Sequence, residues 1–150
     1  MKFEYKFFCN IAFIIKNIIK SLEWLGKNSD KNDIVFSHYS KGMWIEGISK
    51  RRVLLDSNID YIPYPRETYN DSGTLFYSRN LKTTKSLLSK YNVRYVWIDP
   101  EMKQGQVWTK EEHGLLFLFR NEETFKKAYA ENGIEIWEVM KNLSNTSEVS

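Results

Sequence analysis

The sequence predicts an α/β fold: a small, mostly parallel sheet of three to five strands flanked by helices. Three observations carry this. Short apolar runs at Asp33–Phe36, Arg52–Asp56 and Val93–Ile98 alternate with stretches of helical periodicity. The first two runs flank one short helical stretch, which makes a compact βαβ unit with parallel strands. The chain has 150 residues and is 42% hydrophobic, enough for one core and too short for two ordinary domains.

The elements follow in order. Phe8, Ile11, Ala12, Ile15, Ile18, Ile19, Leu22 and Leu25 recur at three- and four-residue steps, so residues 1–27 predict one amphipathic helix, stopped by Gly26 and the polar stretch after it. Phe7–Ile15 is too short an apolar run to span a bilayer, which needs about 20 residues. Two readings of this helix stand: it packs on its own core, or it is a membrane-proximal segment that leaves or lies on a membrane. Asp33–Phe36 reads as a buried strand, Lys41–Ile48 as a helix with Met43, Trp44 and Ile48 inward, and Arg52–Asp56 as a second strand. Ser57–Asn70, with Pro63 and Pro65, reads as an irregular excursion. Asp71 or Ser72 can cap a helix carrying Leu75, Phe76 and Arg79. Thr83–Lys90 reads as a helix with Leu87 and Leu88 inward, ended by Asn92.

Val93–Ile98 is the strongest strand, β-branched and aromatic throughout, and Asp99-Pro100 ends it. Glu101–Glu112 reads as a polar, mobile loop. Leu115–Phe119 is short and apolar, helix or strand. Thr124–Glu131 reads as a helix stopped by Asn132-Gly133. Ile134–Met140 is the last strand. Residues 28–141 thus form one α/β domain, and 142–150 a disordered tail.

Composition excludes several function classes. One cysteine, Cys9, rules out an internal disulfide or a cysteine-rich zinc site, and two histidines leave little for a histidine metal centre. Twenty-two basic and 19 acidic residues are well mixed, net +3, which excludes a nucleic-acid stripe. No phosphate-binding glycine loop is present, and nothing designates a cofactor. Four of the five tryptophans (Trp24, Trp44, Trp97 and Trp137) sit at core positions, and Trp108, in the polar loop, is the candidate exposed contact residue. Asn70-Asp71-Ser72, Asn142-Leu143-Ser144 and Asn145-Thr146-Ser147 match the glycosylation acceptor pattern. Glu111-Glu112-His113 resembles a metal-ligand run, but neighbours on a loop need a third partner.

One constellation has a physical rationale. Ligands of open α/β sheets bind outside the carboxyl ends of the strands. His38, Asp56 and Asp99 each follow such an end, and Glu101 lies two residues further. On neighbouring strands they would converge on one rim and could bind a hard divalent cation or sugar hydroxyls. The competing reading has Asp56 and Asp99 capping the following turns and His38 satisfied within its loop.

The stretches Ser21–Asn28, Ile34–Glu46 and Arg52–Asp56, followed by Asp71–Asn80, Tyr91–Met102 and Phe125–Val139, resemble the soluble extracytoplasmic domain of archaeal multi-spanning glycosyltransferases of the GT-C type, among them the oligosaccharyltransferase catalytic subunit. The resemblance covers residues 19–140 and implies an extracytoplasmic, membrane-associated location. In the oligosaccharyltransferase, the block matching Ser37–Ile45 carries two tryptophans, an aspartate, a tyrosine and a glycine. Here those positions are His38, Tyr39, Ser40, Lys41 and Gly42; only the glycine persists, and the acidic residue is Ser40. Serine cannot supply the same charge-assisted acceptor, so acceptor recognition does not carry over. The family's catalytic acids lie among membrane helices with no counterpart in this sequence. The implied function is a non-catalytic module working with a membrane partner or an acceptor, freestanding or part of a longer frame. Its expected partners are a membrane protein or membrane surface met through the N-terminal helix, and a second copy. The alternative is a freestanding domain, or an enzyme, that uses His38, Asp56, Asp99 and Glu101, with Trp108, for a small ligand.

Overall fold

The computed structural model describes residues 2–141, so the acceptor patterns at Asn142 and Asn145 and the tail lie outside the described residues. Helix α1 (Lys2–Asn28) leads into β1 (Ile34–Phe36), α2 (Gly42–Ser49), β2 (Arg52–Val53), α3 (Pro65–Tyr77), α4 (Leu81–Lys90), β3 (Val93–Ile98), α5 (Gly114–Leu118), β4 (Phe125–Glu131) and β5 (Ile134–Val139). The five strands form one open sheet in the order β2-β1-β3-β5-β4. β1 pairs parallel with β2 and β3, whereas β5 pairs antiparallel with β3 and β4. The sheet is therefore mixed, with its parallel part confined to the βαβ unit and β3.

The pleat of the central strands divides the core in two. Successive side chains of a strand point to opposite faces. Val35, Tyr95, Trp97, Ile134 and Ile136 turn to one face and pack with Leu22 and Leu25 of α1 and Ile45 of α2. Phe36, Val96, Ile98, Phe125 and Val139 turn to the other and pack with Leu75, Leu88, Trp108 and Leu115. β3 lies between these layers, which is why its run is almost wholly buried. The Trp97 indole N–H donates to Ser21 Oγ at 3.0 Å and ties β3 to α1.

Two close approaches fix the helices. A Cβ on Gly26 would stand 2.9 Å from the Ser49 carbonyl oxygen, so α1 and α2 touch backbone to backbone there. Arg51, 8% exposed, spreads its guanidinium over the same junction. It donates to the carbonyls of Gly26 and Ser29 at 2.7 and 2.8 Å, to those of Ser49 and Lys50 at 3.3 and 3.2 Å, and to Ser29 Oγ at 2.8 Å. A planar, five-donor fork suits the orphan carbonyls where two helices end.

Several expectations are corrected. Thr124–Glu131 is not a helix: Phe125–Glu131 is β4, and Asn132-Gly133, both at positive φ (52° and 80°), is its hairpin turn to β5. Such a pair fits a two-residue hairpin loop better than a helix stop. The second strand is shorter than expected, Arg52–Val53. In α2 the buried residues are Gly42, Ile45 and Ser49, and half-buried Ile48 packs on the core as expected, while Met43 and Trp44 are 62% and 46% exposed. The third helix starts at Pro65, not at Asp71, because proline is preset for the first helical turn. Asp71 instead sits in mid-helix and accepts from Lys90 Nζ at 2.7 Å and Tyr91 Oη at 2.6 Å. Glu101–Glu112 is anchored by buried Met102, Val107 and Trp108. Residues 115–119 are helical, as part of α5 and its C-cap.

α1 is a single 27-residue helix used in two ways. From Ile18 onward it packs on the sheet. Its amino-terminal half does not: Phe7, Phe8, Phe13 and Ile14 are 65, 69, 53 and 53% exposed. Among the described residues, no helix is long and apolar enough to cross a membrane.

Candidate functional site

The order β2-β1-β3 makes the carboxyl ends of the three parallel strands neighbours, as the rim argument requires. The strand ends meet there, but their side chains are shared out unevenly. Asp56 turns back on its own loop and accepts from the Asn58 backbone N–H at 2.8 Å and from Asn58 Nδ2 at 3.3 Å. His38 caps the short turn Tyr39–Lys41: its Nδ1 accepts from the Ser40 N–H at 3.3 Å and lies 2.8 Å from Ser40 Oγ. Its ring lies against Tyr39, with centroids 4.4 Å apart. Burial, reinforced by the charge of Lys41, holds His38 below the ordinary histidine pKa.

Asp99 and Glu101 do come together, through a residue outside the expected site. Lys41 Nζ stands 2.9 Å from Asp99 Oδ2 and also pairs with Glu101. Asp99 is 4% exposed, and its second oxygen accepts from the Met102 backbone N–H at 2.9 Å. Asp99 thus caps the following turn with one oxygen and binds an ammonium with the other. Burial works against the charge on Lys41, but its hydrogen bonds to Glu101 and Asp99 outweigh that and hold its pKa above the usual lysine value. The same hydrogen bond and charge hold Glu101 below the usual carboxylate range. Among the described residues, no three His, Cys, Asp or Glu side chains gather as a cation would need. The rim is an internally paired polar cluster, and the oxygens of Asp99 are already engaged.

Trp108 is not an exposed contact residue. It is fully buried, donates its indole N–H to the Phe76 carbonyl at 2.9 Å and meets the Phe76 ring edge-on at 5.5 Å. The apolar positions Met102 and Val107 carry this segment inward, against the polar character of its neighbours. Glu111, Glu112 and His113 are exposed on the following turn.

Beside the Lys41–Asp99–Glu101 cluster lies a cleft of about 780 Å³. One wall is α1, with Phe13, Ile14 and Ile18; the other is the rim, with Lys41, Asp99, Glu101, Gln104 and Gln106, and Asn132 stands at the hairpin turn. The Asn132 side-chain amide donates to Asn17 Oδ1 of α1 at 3.0 Å and closes that end. Lys41, Gln104, Gln106 and Asn132 were not among the expected site residues. Lys41 and Glu101 are 60 positions apart, so no local pattern joins them.

No protein-family model matches this chain, and no curated protein does. Solved structures do. The C-terminal globular domain of an oligosaccharyltransferase from Archaeoglobus fulgidus superposes with a TM-score of 0.59 at 16% identity, over 81% of this chain and 95% of that one. Another structure of such a domain from the same organism gives 0.53 at 16% identity, over 81% and 94%. The Archaeoglobus fulgidus oligosaccharyltransferase in its apo form gives 0.51 at 19% identity, over 84% of this chain but 18% of that one. The fold is that of the globular domain, and the chain spans under a fifth of the length of the whole enzyme.

Proposed function

We propose that this chain is a non-catalytic module resembling the extracytoplasmic domain of a GT-C membrane glycosyltransferase, and that it works in contact with a membrane partner or an acceptor. The observation that carries the reading is α1. The apolar arc that packs Ile18, Leu22 and Leu25 onto the sheet continues into Phe7, Phe8, Ile11, Ile14 and Ile15, which stay exposed. An uninterrupted run of large exposed apolar side chains marks an interaction surface. Between Lys6 and Glu23 the helix carries lysines at 16 and 20 and no acidic residue, a pattern suited to a negatively charged surface. The likeness in fold to the globular domain supports the rest of the reading, as does the pairing of Asp99 and Glu101 with Lys41.

The full chain is tested by flotation with vesicles containing anionic lipid and by light scattering for self-association. Binding or association that is lost in Phe7→Glu/Phe8→Glu, with the circular dichroism spectrum retained, supports the reading. A chain that stays monomeric and ignores vesicles overturns the contact. Transfer of a lipid-linked sugar by the purified chain overturns the non-catalytic role.

A further inference from the structure

We infer that the cleft between α1 and the strand rim is a binding site for a neutral, hydroxyl-bearing amphiphile, with a polyol head against the rim and an apolar body against α1. Three observations lead there. The walls differ in chemistry: Phe13, Ile14 and Ile18 offer an apolar surface, whereas the opposite wall offers carboxylates and carboxamides. Carboxamides both donate and accept, which is what hydroxyl groups need from a partner.

The charge balance disfavours an anion. Lys41 is the cation of the cluster, and it is bound by two carboxylates, Asp99 and Glu101. The cluster sums to one negative charge, so a phosphate or sulfate head would meet repulsion from partly dehydrated carboxylates. Neutral hydroxyls can still donate to the exposed Glu101.

One acceptor is left over. Gln106 donates from Nε2 to Ser40 Oγ at 3.3 Å, but its Oε1 is buried and has no partner among the described residues. Buried polar atoms are normally paired, and an unpaired one needs an explanation. Two threonine hydroxyls share this state, Thr84 and Thr124, but only Gln106 lines the cleft. The atom is closed to water in the free chain, so a hydroxyl donor seated in the cleft would satisfy it as the Gln106 amide turns toward the ligand. A volume of about 780 Å³ lies in the range of small-molecule sites.

This goes beyond the module reading, and its failure would leave the α1 contact standing, since flotation does not read the cleft. The test is titration of the full chain with octyl β-glucoside below its micelle concentration, followed through the side-chain amide NMR signals of Gln104, Gln106 and Asn132. Those signals are expected to shift together and to saturate. Glucose and octyl phosphate are the comparison arms. Saturable shifts with glucose alone place the recognition in the head and point to a free glycan; shifts that need the octyl chain point to a glycolipid. Gln106→Met is expected to weaken binding about tenfold, the size of one hydrogen bond made away from water. Unchanged tryptophan emission confirms that this variant is folded, and Phe13→Ser, on the other wall, should weaken octyl glucoside binding independently. Shifts confined to α1, equal shifts with octyl phosphate, or binding unchanged in Gln106→Met overturn the assignment.

Discussion

Lys41→Met isolates the buried half of the rim cluster. The Lys41 and Asp99 side chains are 14% and 6% exposed and lie 2.9 Å apart. Removing the ammonium leaves a carboxylate dehydrated and held only by the Met102 N–H. Losing one partner of a buried ion pair costs about 3–5 kcal/mol. The Glu101 side chain, 66% exposed, adds less than about 1 kcal/mol because water screens it. The expected loss near neutral pH is therefore at the lower end, about 3 kcal/mol, or about 6–12 °C in Tm for a chain of this length. The loss must also depend on pH. Lys41 holds the Glu101 carboxyl below the usual range, so part of the stability it confers is present above the ordinary carboxylate pKa and is lost as pH falls through the depressed pKa of Glu101, whereas the variant has none of that part to lose. Urea unfolding of both proteins at about pH 7 and about pH 3 should show the gap narrowing at the lower pH. Lys41→Met/Asp99→Asn keeps an acceptor for Met102 and removes the charge, so it should recover most of the loss. An equal gap at both pH values, or a double variant no more stable than the single one, refutes the reasoning.

Three further outcomes are expected. Arg51→Ala strips four helix-end and loop carbonyls and a serine of their donor and should cost about 3 kcal/mol in urea unfolding; Arg51→Lys should recover less than half, since one ammonium cannot span them. Gly114→Ala should abolish soluble folded protein, because Gly114 has φ +48° and a Cβ there would fall 2.0 Å from the Phe76 carbonyl oxygen. Trp108→Phe should cost about 1–3 kcal/mol by thermal unfolding, through the orphaned Phe76 carbonyl, and should leave acrylamide quenching of the folded protein almost unchanged, as Trp108 is already hidden from water.

What the sequence made legible follows from which interactions are local. β3 declares itself, since a continuous β-branched and aromatic run is what a strand covered on both faces requires; five of its six residues are buried and Arg94 is half-buried. The rim was legible too, because the carboxyl ends of parallel strands gather by topology. The partners on it were not. His38 and Asp56 were satisfied within two residues of themselves, while Asp99 took its cation from 58 positions away. β4 was misread because Lys126, Lys127, Ala128 and Ala130 favour a helix locally; pairing with β5 overrides that, and the Asn132-Gly133 turn was the signal for it. In α2 Ile48 packs inward as its spacing implies, but Met43 and Trp44 only look like core residues and Ile45 is the one that fits. Trp108 was misplaced by averaging the polarity of its loop over the two apolar residues that anchor it.

The length of α1 has a geometric consequence. Twenty-seven helical residues span about 40 Å, of which the stretch before Ile18 is about 24 Å long. The gripped end is pinned at Gly26 by backbone contact and by Arg51, and Ile18, Leu22 and Leu25 hold it against the sheet. The exposed stretch runs out along the cleft wall from the Asn17–Asn132 bond. Phe7 and Phe8 stand about 8–9 Å along the same helix from Phe13 of that wall, so a partner that covers them also comes up to the mouth of the cleft.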